Sequence, residues 1–135
     1  GKRIGSVYQP DFLFKAIQEG QHILLVAPLE NRVERLLKEY TPTGDSEKKK
    51  VEESLLSLQK YLGKKTLDQL LSLLREENYR ELVRQLCLLY YDRLYGDSKP
   101  GKTDFVLTVE SSDPVKAAGQ IKDFVLRAVK LQYSY

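Results

Sequence analysis

The residues of this chain best suited to chemistry are basic and phenolic, not nucleophilic. Arg32 and Arg35 stand three apart, Lys2 and Arg3 precede Ile4-Gly5, and Tyr90-Tyr91-Asp92-Arg93-Leu94-Tyr95 packs three phenols and a carboxylate into one short stretch. A guanidinium presents a planar fork whose N–H groups match the oxygens of a phosphate, so arginines at the end of an element suit anion binding. A glycine at position 5 would let the backbone turn close to the same anion. Tyr91 and Tyr95 lie four apart and share a helical face with Asp92 beside it. That grouping serves base stacking or nucleotide contact as readily as core packing with satisfied hydroxyls. The arginines, in turn, also fit a solvated helix face.

The familiar catalytic constellations are missing. The sequence holds neither a GxxxxGK[ST] phosphate loop nor a GxGxxG turn, and no Cys/His set has metal-ligand spacing. His22 heads an apolar run and has no catalytic partner nearby, which points to a structural role. Cys87 sits on an apolar stripe and reads as a small core residue. We therefore expect no catalytic residue and no metal site within this chain.

The elements that position these residues follow from periodicity. Pro10 suits the first helical position, and Phe12, Leu13, Ala16 and Ile17 recur at helical spacing until Gly20. Residues 22–27 form an apolar run closed by Pro28, which predicts a strand buried on both faces. Leu29, Val33, Leu36, Leu37 and Tyr40 make one helical stripe, with Arg32 and Arg35 off it. Val51, Leu55, Leu58 and Leu62 make another, ending at Gly63. Thr66-Leu67-Asp68-Gln69 has capping-box spacing and predicts the start of a Leu-rich helix, and Asn78 with Glu81 repeats that spacing. The helix after Asn78 is apolar nearly all round from Leu86 to Tyr91, which predicts the main core helix. Residues 105–110 predict a second strand, and Asp113-Pro114 an N-cap and first position for a closing helix. The expected fold is thus α/β and predominantly helical, with two strands and about six helices. Two strands alone make a poor sheet, so more strands are expected from outside this chain.

The totals bound these readings. At 135 residues the chain suits one domain, and 41% hydrophobic with 30% charged residues is an ordinary globular composition. The net charge of +3 is spread evenly: 6 basic against 5 acidic residues over 1–40, 11 against 10 over 41–100, and 5 against 4 over 101–135. No segment is a polybasic tail, and a near-neutral whole still permits a local phosphate site. The single cysteine disfavours a disulfide scaffold, and no run reaches the length of a membrane span or a signal peptide, so a cytoplasmic protein is expected. The chain has no methionine, even at its start, and reads as a fragment of a longer protein.

Three stretches, in this order and spacing, resemble the C-terminal half of the tRNA 2-selenouridine synthase family. They are Lys2-Arg3-Ile4-Gly5 with Pro10, the first strand with Pro28-Leu29-Glu30-Asn31-Arg32-Val33-Glu34-Arg35 and Tyr40, and Tyr90-Tyr91-Asp92-Arg93-Leu94-Tyr95. Leu62-Gly63 is a fourth point of similarity, so the resemblance spans roughly residues 2–95 and, less distinctively, the closing strand and helix. It implies that residues 1–135 are one segment, the C-terminal part of a P-loop NTPase-like domain. The phosphate loop and a rhodanese-like domain with a catalytic cysteine would lie upstream, and Cys87 does not correspond to that cysteine. Gly1 stands where the family usually closes the preceding strand with a Glu-Ser pair. The implied activity is conversion of wobble 2-thiouridine in tRNA to 2-selenouridine through a geranylated intermediate, with selenophosphate and geranyl diphosphate as co-substrates. By analogy with P-loop kinases, residues 29–95 become a helical lid-like insertion that could receive tRNA, and Arg32 and Arg35 lid arginines. Lys2 and Arg3 become diphosphate or tRNA-backbone contacts. Two other readings stay open: a helical protein-interaction module without catalysis, and the lid half of a small nucleotide kinase.

Overall fold

A computed structural model describes residues 3–4, 6–95 and 104–134, with Tyr95 described by its backbone alone. The chain divides into two compact units, residues 1–26 with 101–135 and residues 27–100. The expected 29–95 insertion falls inside the second.

The first unit opens with a feature that periodicity did not predict, a short antiparallel pair of β1 (Arg3–Ile4) and β2 (Val7–Tyr8). Arg3 faces Tyr8 in this register, and its guanidinium lies 5.3 Å from the centre of the Tyr8 ring, a cross-strand cation–π contact. Helix α1 (Asp11–Glu19) follows, with Pro10 as the capping residue before it and not the first helical residue, because its extended ψ of 145° lies outside the helix. Strands β3 (His22–Val26) and β4 (Phe105–Glu110) pair in parallel, Leu24 against Thr108 and Leu25 against Val109, close to the predicted boundaries. Ser111 prolongs the ladder by one step, its backbone N–H donating to the Val26 carbonyl at 2.7 Å. Helix α8 (Pro114–Gln132) begins as expected: the Asp113 carboxylate accepts from the N–H groups of Val115 at 3.0 Å and Lys116 at 3.2 Å.

The burial predicted for these strands is not found. Val109 is covered, but Leu25, Phe105 and Val106 are exposed, as are Phe12 and Leu131 on the helices. The cause is the size of the sheet, which has two strands among the described residues, so each strand has a single neighbour.

Among the described residues the second unit has helices and no strand. It runs through α2 (Leu29–Tyr40), α3 (Asp45–Ser57), α4 (Gln59–Leu62), α5 (Lys64–Arg75), α6 (Tyr79–Leu86), a π turn (Cys87–Tyr91) and α7 (Asp92–Tyr95). Its core is a leucine cluster: Leu55 from α3, Leu67, Leu70, Leu71 and Leu74 from α5, and Leu82 from α6. The four α5 leucines fall at i, i+3, i+4 and i+7, one face of a helix. The core helix is therefore α5 and not the segment from Leu86 to Tyr91, where Leu88 and Tyr91 are about half exposed.

Two further expectations change. Thr66 does not cap a helix, because α5 starts two residues earlier, after Gly63 at φ +75°. Only glycine takes that backbone conformation without strain, and it turns the chain from α4 directly into α5. Asn78 does cap α6, its Oδ1 accepting from the Glu81 N–H at 3.3 Å, but the return bond of a capping box is not made. The Glu81 carboxylate instead accepts from the Gln85 amide at 2.9 Å.

Candidate functional site

Arg32 is the fourth residue of α2, and its fork closes on Asp92 in the first position of α7. Nη1 donates to Oδ1 at 2.6 Å and Nη2 to Oδ2 at 2.8 Å, an end-on pair of parallel hydrogen bonds. The two side chains are 30% and 33% exposed, so the pair is sheltered but within reach of solvent. What brings Asp92 to this place is the π turn, closed by the Asp92 N–H bonding back to the Cys87 carbonyl. A π turn holds more residues than an α turn, so everything after it is rotated relative to the stripe before it. The sequence places Asp92 among the tyrosines; the fold gives it to an arginine.

The electrostatics follow from that geometry. Hydrogen bonding from Arg32 holds the Asp92 carboxyl below the usual carboxylate range, with burial opposing in part. The same bonds raise Arg32 further above its already high value. Burial pushes the Cys87 thiol up, only partly offset by the Arg32 charge, and encloses it, which favours the protonated form. A guanidinium carries five N–H donors and Asp92 takes two. The Nε–H of Arg32 is buried and has no partner among the described residues.

The other expected residues are distributed as follows. Arg35 lies exposed on α2, nearly one turn beyond Arg32. Tyr90 is half-buried, its ring set edge-on to that of Tyr61 at 5.8 Å, while Tyr91 is 55% exposed. Tyr95 closes α7, and its side chain lies outside the described residues, as does Lys2. Arg3 belongs to the first unit, whereas Arg32, Arg35 and the tyrosines belong to the second. Of the residues singled out in the sequence, the structure joins Arg32 with Asp92. It also shows a set that sequence reading missed: Arg80 pairs with Glu34 and, at 3.8 Å, with Glu30, and Arg84 pairs with Glu30 at 3.1 Å. Glu30 with Glu34 and Arg80 with Arg84 have the same i,i+4 spacing, a signal that could have been matched. These pairs bind α2 to α6 and so help to fix the helix that carries Arg32.

A family description, the tRNA 2-selenouridine synthase AAA domain, matches residues 1–123. The chain belongs to that family. The match takes in the motifs on which the resemblance rested and, where that resemblance was less distinctive, β4 and the first half of α8. No curated protein and no solved structure matches. Membership ties the chain to tRNA modification, the formation of 2-selenouridine, and its mostly helical α/β fold is what this AAA-type domain looks like here. Among the described residues no group of His, Cys, Asp and Glu is placed to hold a metal, and no helix is long and apolar enough to cross a membrane.

Proposed function

We propose that this chain is the substrate-binding portion of a tRNA-modifying transferase that converts wobble 2-thiouridine to 2-selenouridine through a geranylated intermediate. The observation that carries the reading is the Arg32–Asp92 pair within a member of the 2-selenouridine synthase family. Asp92 takes one N–H from each terminal nitrogen of the Arg32 fork and fixes the orientation of the second N–H on each. A guanidinium held in this way loses less freedom on meeting a phosphate than a mobile one would. Arg32 and Arg35 are the contacts for the diphosphate of geranyl diphosphate or for the tRNA backbone, and Lys2 and Arg3 are separate contacts of the same chemical kind. Selenophosphate acts as the second co-substrate. The chemistry itself belongs to upstream phosphate-loop and rhodanese-like portions, and exposed apolar side chains such as Phe12, Leu25 and Phe105 support packing against them. The setting is cytoplasmic.

The test is binding of geranyl diphosphate and thiolated tRNA by the full-length enzyme carrying Arg32→Lys or Arg35→Ala. Arg32→Lys keeps the charge and removes the fork, and should weaken binding of the diphosphate about tenfold. Unchanged affinity and turnover in both variants would sink the reading.

A further inference from the structure

We infer that the turn joining α4 to α5 is a second nucleic-acid contact, in which Lys60, Lys64 and Lys65 hold phosphates of an RNA strand while an unpaired base lies against Tyr61. The inference rests on the tRNA-binding reading above but uses none of the residues placed there.

Positive charge in the helical unit is compensated in some places and not in others. In the helical unit Arg32, Lys48, Arg80 and Arg84 each sit against a carboxylate. Lys60, Lys64 and Lys65 do not, nor do Lys38, Lys49, Lys50, Arg75 and Arg93; the three lysines differ in being gathered at one helix junction, where all are exposed. The sequence explains why, since residues 54–67 contain these three lysines and no acidic residue. Stability does not account for the arrangement. Lys64 and Lys65 are the first two residues of α5, whose first turn has no acid, and cations at that end oppose the helix dipole. Gly63 at φ +75° joins α4, which carries Lys60, directly to α5, which opens with Lys64 and Lys65.

Beside them is an aromatic surface. Tyr61 is 65% exposed, yet its ring is braced by the edge-on contact with Tyr90 at 5.8 Å. A fixed, open phenol next to unneutralised lysines is the combination that single-stranded nucleic-acid surfaces use: cations follow the backbone and a ring stacks on a base without regard to sequence. RNA loops present such unstacked bases, and a duplex does not.

The experiment uses the full-length enzyme that contains this chain, with a tRNA transcript as the probe. The chain has no tryptophan, so Tyr61→Trp adds one fluorescent reporter in the surface, read as the difference from wild-type emission. Lys60→Gln, Lys64→Gln and Lys65→Gln combined should weaken binding about tenfold or more at low salt and reduce the slope of log affinity against log salt by about 2, near 0.7 for each phosphate no longer neutralised. The same number of neutralisations on α8, at Lys116, Lys122 and Lys130, should leave that slope in place. Indole emission from the Tyr61→Trp variant should be quenched on binding. Equal slopes in the two triple variants, or an indole emission that RNA does not change, would overturn this surface and leave the Arg32 reading standing. A wild-type enzyme that does not bind the transcript at all would overturn both.

Discussion

Asp92 and Arg32 lie in different helices sixty residues apart and end in two hydrogen bonds under 3 Å, so each carries the cost of leaving the other alone. Asp92→Asn keeps the shape and removes the charge. At near-neutral pH this should lower stability by about 1–2 kcal/mol, the range for a charged hydrogen bond discounted for partial exposure, as read from urea denaturation. The pH dependence has a definite sign. Arg32 depresses the folded carboxyl, whereas an unfolded aspartate titrates near ~3.9. Its contribution is therefore complete above that value and disappears as pH falls through the lower folded value. Arg32 stays charged throughout and adds no slope in the acid range. The stability gap between wild type and Asp92→Asn should thus close on acidification, and a gap that persists at low pH would assign the effect to shape and not to charge. Cys87 offers an independent probe of the same neighbourhood. Enclosed and held protonated, it should react with a thiol reagent only slowly in the folded protein and faster in Asp92→Asn, where the helix carrying the cysteine loses its tie to α2.

The elements are set by two kinds of signal, and only one can be read along the chain. Local chemistry was legible: Asp113-Pro114 caps α8, Asn78 caps α6, and the apolar runs near 22–27 and 105–110 become β3 and β4. Asp113→Ala should accordingly lower stability by about 1 kcal/mol. Other features required knowledge of the neighbours. The Thr66 capping-box spacing is real but idle, because Gly63 supplies an earlier start and Leu67 is drawn into the core. A hydrophobic run such as Leu86–Tyr91 does not reveal that its backbone will form a π turn, and the turn then decides which side chains face inward. The Arg32–Asp92 pair was hidden for a similar reason: both residues stood out, but no periodicity links positions in separate helices. The identity of the core helix follows from α5 alone presenting four covered leucines. Leu70, fully buried, should cost about 2–5 kcal/mol when cut to alanine, and loss of that order in a thermal melt, against little change for the exposed Leu88→Ala, would verify the assignment.

On the scale of the whole molecule, burial is unequal between the units. Six leucines form one cluster in the helical unit, while the first unit covers little beyond Val109 and Ala117 and leaves Leu25, Phe105 and Val125 in solvent. Strands β3 and β4 each have one neighbour among the described residues, so the outer edges of that sheet have no strand partner there. Amide exchange reports such a difference directly, since protection follows the free energy of local opening. The amides of Leu70, Leu71 and Leu74 should exchange slowest, and those of β3 at least about tenfold faster, because opening a two-stranded sheet exposes little apolar surface that was not exposed already. Adding a sheet neighbour should reverse the order for β3 while leaving α5 unchanged. If β3 is instead as protected as α5 in this chain alone, the sheet is already complete as it stands, and the proposal that the exposed leucine, phenylalanine and valine side chains pack against upstream portions falls.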